Sequence, residues 1–544
     1  TYGYAKNPYL VTKTTKQTGY ETLTDGKVEW KTRESTTETS YDEQEQVTSE
    51  TEEDGTQTAY TYDTTSEWTL DQPKTEVVTK GDTVISKEAY TYSKTGNVKT
   101  EEESSDASNK SVTENRYDSD GNVTETTTTV AGIETSKTSS TYDSSGNATT
   151  SATTSGDTEA KEENTYDVMG RLTKKKDPET GEVTAYTYDA LGRQIKSVST
   201  LNGKTQTTTS SYDANGTLIS ETGTDGVKTD YAYDALNRVI KRTLTKGTSI
   251  TYTTSYAYGD VTVQDGRGTR TVKNAFIQKE SYPSGTTASE TYTDASGNVV
   301  REKANGLYTD YTYDASGNQV VAYQNGTGAD SADGKVTLNL YDAEGRSFAT
   351  VVNPDTSGDA YQVSEKSLVT KQAYDAKGNV NKETDAMGTM TQYAYDDSDR
   401  VTEVTQNAGK DGALVTKASY EADTENQKNR TTITEAGGRK SIEVTDAAGL
   451  VKSSQDQGQK EDESIATAYC YDSRGNQTKV TYENGDYRED TYDARNLKTV
   501  SKSCKADGTQ TLQTEYKYDD QYRLIQMTDA KKSGNEQKPY RYTY

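Results

Sequence analysis

The stretch Ala185–Lys196 reads AYTYDALGRQIK, and Tyr231–Arg242 reads YAYDALNRVIKR. In the first copy Tyr186 and Tyr188 stand two residues apart, which places both rings on one face of an extended strand. Asp189 follows, a residue whose carboxylate bonds backbone amides two positions on and so opens a turn. Gly192 supplies the positive φ that such a turn requires. Alternation then resumes through Arg193, Gln194, Ile195 and Lys196. The unit therefore reads as strand, turn and returning strand.

The same pattern runs along the chain. Tyr-Asp pairs begin at Tyr41, Tyr62, Tyr117, Tyr142, Tyr166, Tyr188, Tyr212, Tyr233, Tyr313, Tyr341, Tyr374, Tyr395, Tyr471, Tyr492 and Tyr518. Looser copies fill gaps at Tyr90, Tyr256, Thr291 and Val444. Neighbouring copies lie mostly about 21 to 26 residues apart, a period proper to repeat proteins. Three copies are fullest: Tyr166-Asp167 with Gly170-Arg171, Tyr188-Asp189 with Gly192-Arg193, and Tyr233-Asp234 with Arg238. Tyr313-Asp314 with Gly317, and Tyr341-Asp342 with Gly345-Arg346, repeat the scheme. About ten residues after each such turn a second signal appears: Asn202-Gly203, Asp225-Gly226, Asn305-Gly306, Asp333-Gly334, Asn484-Gly485 or Asp507-Gly508. These pairs predict type I′ hairpin turns with positive φ at both centres. Apolar residues at helical period are absent.

A single hairpin cannot bury its own tyrosine face. Hairpins added edge to edge can, so the expected fold is all-β. Tandem hairpins form one long antiparallel sheet, whose twist curls it into a spiral shell or tube. Tyr and Val form the ladders of the packed face, and Thr, Lys and Glu the solvated one. Residues 1–544 read as one continuous array without a separate catalytic domain, an internal piece of a longer chain.

Composition agrees only through its tyrosines. Hydrophobic residues are 29% of 544 and the formal net charge is −26. Leu, Ile, Val and Phe together make roughly an eighth of the chain, a level typical of disorder. Yet there are 43 Tyr against 2 Phe, 2 Trp and 4 Met. Tyrosine buries a large ring while its hydroxyl keeps a polar partner, so an aliphatic core is replaced by Tyr, Val and Thr. No apolar run is long enough for a transmembrane helix. The acidity argues against a nucleic-acid partner, which would need a basic stripe.

There is no histidine, which removes Ser-His-Asp and Cys-His catalysis and His-ligated zinc. Cys470 and Cys504 are too few for a disulfide framework; they read as two free thiols, with a single bridge left open. Carboxylate pairs such as Glu52-Glu53 and Asp396-Asp397 read as surface charge. YDSDGN from Tyr117 lacks the remaining ligands of a calcium loop and reads as a repeat turn. The regular tyrosines also raise sugar binding, but the aromatic repeats of that kind use Trp, and only Trp30 and Trp68 occur. No catalytic, cofactor or metal site is expected; the residues singled out are those of the repeat.

The motif YxYDxxGR, followed by an NG or DG turn, resembles the Rhs/YD-repeat family. That family includes bacterial Rhs polymorphic toxins, Tc toxin shell components, wall-associated proteins and the teneurin YD shell. The resemblance implies a spiralling β-sheet that forms a hollow shell; the lack of catalytic residues in this chain adds that the segment is not an enzyme and uses no cofactor. In toxin members the shell encloses a C-terminal toxin or effector of the same parent chain. In surface members it belongs to an extracellular adhesion protein, with cell-surface glycans or receptors as partners. It further implies a secreted or cell-surface location, in bacteria. Many toxin members end in a DPxGL-like self-cleavage segment. Here Asp177-Pro178 is followed by Glu179 and Thr180 in mid-chain and reads as a turn; Lys531–Tyr544 carries no such segment. The length reads as an open portion of a shell.

Overall fold

The computed structural model describes residues 2–4, 9–24, 27–52, 54–62, 72–104, 110–247, 249–282, 284, 287–304, 306–325, 334–357, 360–458, 464–519, 521–531 and 539–542. Asn305, Asp333, Glu53 and Trp68 lie outside these residues, as does the side chain of Trp30. Among the described residues every extended element is a β-strand, and the strands form one antiparallel sheet. Among the described residues no helix is long and apolar enough to cross a membrane.

The strand Val183–Tyr188 shows how the sequence builds the sheet. It pairs with Leu172–Lys176 through Lys174 opposite Ala185, and with Gln194–Leu201 through Tyr186 opposite Ser197. Ala185 and Thr187 are exposed while Tyr186 and Tyr188 are half-buried, the period-two alternation of a strand with one packed face. At Thr187/Tyr188 the register shifts by one residue. The same bulge recurs before Tyr142, Tyr166, Tyr212, Tyr233, Tyr313 and Tyr341. A bulge increases local twist and re-aims the side chain beside it, here the motif tyrosine.

The chain divides into two compact units. One comprises 1–57, 209–393 and 406–413. It holds an aliphatic core. Val320, Val321, Leu338, Leu340 and Val351 pack with Tyr323 and Tyr361. A second cluster joins Val261, Val263, Val272, Ala275 and Val300. Val and Tyr supply most of both clusters, in line with the expected Tyr, Val and Thr core, and Leu338 and Leu340 join them. The copy at Tyr256 is corrected. It lies inside the long strand Ser249–Gln264, where Gly259 sits at a bulge and no turn forms. That strand pairs with Thr269–Ser281, and their hairpin tip lies against the core. A β-carbon at Gly266 would stand 2.5 Å from Val336 Cγ2, so only glycine fits. The Tyr361 hydroxyl donates to the Asp265 carbonyl at 2.5 Å.

The other unit comprises 58–208, 394–405 and 414–544. Its strand ends meet in a seam between sequence-distant runs. The Glu134 amide donates to Gln427 Oε1 at 2.9 Å, and the Glu159 amide to the Ser473 carbonyl at 2.8 Å. Lys452 Nζ lies 2.8 Å from Asp157 and 3.1 Å from Asp446. Gly156 turns tightly over Asp446, where a β-carbon would approach the Ala448 nitrogen to 3.1 Å.

Candidate functional site in the repeated Tyr-Asp turn

The turn at Asp189 is closed from both sides. Its amide donates to the Arg193 carbonyl at 2.9 Å, and the Gly192 amide donates to the Asp189 carbonyl at 3.0 Å. Gly192 has φ +83°, the left-handed residue of a three-residue hairpin loop. Asp189 Oδ1 accepts the amides of Leu191 at 2.9 Å and Arg193 at 3.0 Å. Oδ2 takes Arg193 Nε at 2.6 Å and Nη2 at 2.6 Å. Asp167 holds Met169, Arg171 and the Arg171 guanidinium in the same way, with Gly170 at φ +75°. Asp234 does so with Leu236 and Arg238, and Asn237 at φ 61° stands in for glycine. Asp342 repeats the set with Glu344 and Arg346, beside Gly345. In the asparagine version, Asp314 accepts Ser316 and Asn318 amides on Oδ1 and Asn318 Nδ2 on Oδ2 at 2.9 Å, with Gly317 at φ +87°.

These bonds act on the charged form of the carboxylate. The Arg193 amide and then its guanidinium hold Asp189 below the usual carboxylate value. For Asp167 and Asp234 the larger cause is the guanidinium of Arg171 or Arg238.

The tyrosine before each aspartate reaches the neighbouring repeat. Tyr188 donates its hydroxyl to the Leu172 carbonyl at 2.7 Å, and Tyr166 to that of Ala148 at 3.0 Å. Tyr233 bonds Leu218 at 2.5 Å, Tyr313 bonds Val299 at 2.7 Å and Tyr341 bonds Gln319 at 3.1 Å. Each accepting residue directly follows the last residue of the preceding turn. The clamped arginine extends the same way: Arg171 lies over the Tyr188 ring at 4.9 Å and Arg346 over Tyr374 at 4.7 Å. A guanidinium flattened by its own aspartate thus stacks on the tyrosine of the next repeat. Burial raises the hydroxyl pKa of Tyr166, Tyr233, Tyr313 and Tyr341.

The first tyrosine of the motif plays a different part. Tyr186 is half-buried on the Tyr188 face. Its counterparts Tyr231 and Tyr393 donate to Glu221 at 2.6 Å and Glu383 at 2.8 Å, and Tyr311 donates to Glu302. These glutamates share the tyrosine face. The assignment of Glu to the solvated face is corrected at them, because a partly buried hydroxyl needs an acceptor nearby.

The other acidic candidates fall into turns. Asp118 of YDSDGN accepts Asp120 and Asn122 amides and Asn122 Nδ2, all at 2.9 Å. Asp396 accepts Ser398 and Arg400 amides and Arg400 Nε. Asp177 accepts the amides of Glu179 at 2.8 Å and Thr180 at 3.1 Å, between two strands. Cys470 is exposed and Cys504 buried, and both are free thiols. Of the second turns, Asn202-Gly203 has positive φ at both residues. At Asp225-Gly226, Asn484-Gly485 and Asp507-Gly508 only the glycine does. Type I′ is wrong there: the loops have one more residue, and a glycine bulge closes them.

Sequence reasoning missed a buried cluster in the first unit. Asp310 is fully buried and takes Arg301 Nε at 2.5 Å and Nη2 at 2.7 Å. It also accepts Asn325 Nδ2 at 3.2 Å and the Gln264 amide at 2.8 Å. No spacing signals it, since Asp310 precedes the motif and its partners come from separate strands.

Residues 69–265 match the family model described as Teneurin YD-shell, and residues 374–411 match the one described as RHS Repeat. No curated protein matches the sequence. Among solved structures, the crystal structure of TcdB2-TccC3-Cdc42 is similar at 13% identity and TM-score 0.51, covering 98% of this chain and 31% of that one. A structure of the Photorhabdus luminescens Tc holotoxin pore is similar at 12% identity and TM-score 0.53, covering 97% of this chain and 31% of that one. The chain thus spans about a third of the length of the structures it resembles. The stretches 69–265 and 374–411 are repeats of the Rhs/YD type, as the tyrosine-aspartate turns indicate.

Proposed function

We propose that this chain is a wall segment of a secreted or cell-surface β-shell, and that the shell encloses a toxin or effector domain of the same parent polypeptide. One observation carries the reading. In the fullest copies the aspartate, the arginine and the tyrosine hydroxyl of the motif are engaged in closing one hairpin and binding it to the next. The chemistry of the motif goes into the wall, so its role is structural rather than catalytic. Residues 1–544 work as one array of repeats. The similarity to a Tc holotoxin pore structure supports a container, and a bacterial parent fits it.

Single-particle electron microscopy of the full-length parent, with limited proteolysis of the same sample, tests this. Density inside the shell and a protected fragment released only on denaturation are expected. An empty lumen overturns enclosure and moves the function to surface adhesion.

A further inference from the structure

The turn at Asp519 departs from the others at one position. Asp519 accepts the Gln521 amide at 2.9 Å and the Arg523 amide at 2.9 Å, and Arg523 Nε binds Oδ2 at 2.7 Å. The residue in the left-handed position is Tyr522, at φ +68°. Glycine fills this place at Gly170, Gly192, Gly317 and Gly345, and asparagine at Asn237 and Asn496. Glu45 is the other long side chain found there, at φ 67°. For a bulky residue this backbone is strained, and strain of that kind points to a use for the side chain. The ring packs against Arg495 yet remains 39% exposed.

Tyr522 forms one wall of a cavity of about 120 Å³ in the second unit. Arg495 lies over the ring, its guanidinium 5.2 Å from the ring centre. Asp493 binds Arg495 at 2.9 and 2.6 Å, and Nη1 donates to the Asp519 carbonyl at 3.2 Å, so the arginine is fixed. The rest of the lining comes from a sequence-distant hairpin. Asn202 lies in its turn, Lys204 and Gln206 on the strand that follows, and buried Leu201 adds an apolar patch. The volume exceeds that of one water several times over. An aromatic ring sharing a cavity with amide and ammonium groups suits a ring with one apolar face and a polar rim.

We infer that Tyr522, with Asn202, Lys204 and Gln206, forms a binding site for a single pyranose of a glycan, and that the strained turn is kept to present the ring. The site is independent of what the shell encloses.

Saturation-transfer NMR on the full chain, with glucose, N-acetylglucosamine and glucuronate as separate probes, tests it. Transfer to the ring protons of at least one probe is expected. Tyr522→Phe should retain it, and Tyr522→Gly should weaken binding about tenfold or more. The melting temperature of Tyr522→Gly should equal or exceed that of the parent, because glycine relieves the turn. Three results each overturn the inference: no transfer to any probe, transfer unchanged in Tyr522→Gly, or a lower melting temperature in that variant. The last would make the ring a packing element.

Discussion

At Gly192 a β-carbon would find space, with Arg171 Nη1 at 3.5 Å as its nearest neighbour. The constraint is the backbone, held at φ +83° by the bonds that Asp189 makes around it. Gly192→Val should therefore cost about 1–3 kcal/mol, through conformational strain and not through a clash. Urea denaturation of the pair measures it, and an unchanged midpoint would show that the turn tolerates a β-branched residue. Asp189 and Gly192 are legible in sequence because their partners lie within four residues. The stack of Arg171 on Tyr188 is not, since it depends on which strands are neighbours and how the bulge at Thr187/Tyr188 aims the ring. The same holds for Tyr522, whose letter marks an anomaly only once its φ is known.

The hairpin is the element on which the electrostatics act. Its turn carboxylates at Asp118, Asp143, Asp167, Asp189 and Asp234 all titrate below their ordinary value, chiefly through the asparagine or arginine that ends each turn. A depressed carboxylate contributes stability that is full above the unfolded pKa, near about 4, and is lost as the pH falls through the folded values. Tyrosine sets the other limit. Burial, and then the bond to Glu221, push Tyr231 up to about 12. Folding favours its protonated form, so that contribution is full below about pH 10 and fades as the pH rises toward 12. Melting temperature against pH should be flat between these limits and fall on both sides. A constant value down to about pH 2 would mean that the turn carboxylates do not hold the hairpins in their ionised form. Strand, turn and period were readable at this scale because they are local. The type of the second turns is not legible, because loop length, rather than the Asn-Gly or Asp-Gly pair, decides between type I′ and a glycine bulge.

Across the whole molecule the two units reach stability by different means. The first has aliphatic clusters around Leu338 and Val263, in strands where Val and Leu crowd together. The second joins distant runs at a polar seam, and such pairings leave no trace in the repeat itself. Within that seam Lys452 has two partners of unequal weight. The side chain of Asp157 is 73% exposed and that of Asp446 only 7%. An exposed pair contributes about 0–1 kcal/mol, so Asp157→Ala should scarcely move the denaturation midpoint. Lys452→Ala removes the cation beside a buried carboxylate. Asp446 Oδ1 would keep the amides of Ala448 and Leu450, but Oδ2 has no hydrogen bond to fall back on. Breaking a buried pair from one side costs about 3–5 kcal/mol, and the Gly156 turn that rests on Asp446 should lose hydrogen-exchange protection with it. Equal, small effects of the two variants would show that the backbone amides alone sustain Asp446, and that the seam is held by hydrogen bonds such as Glu159 to Ser473 rather than by charge.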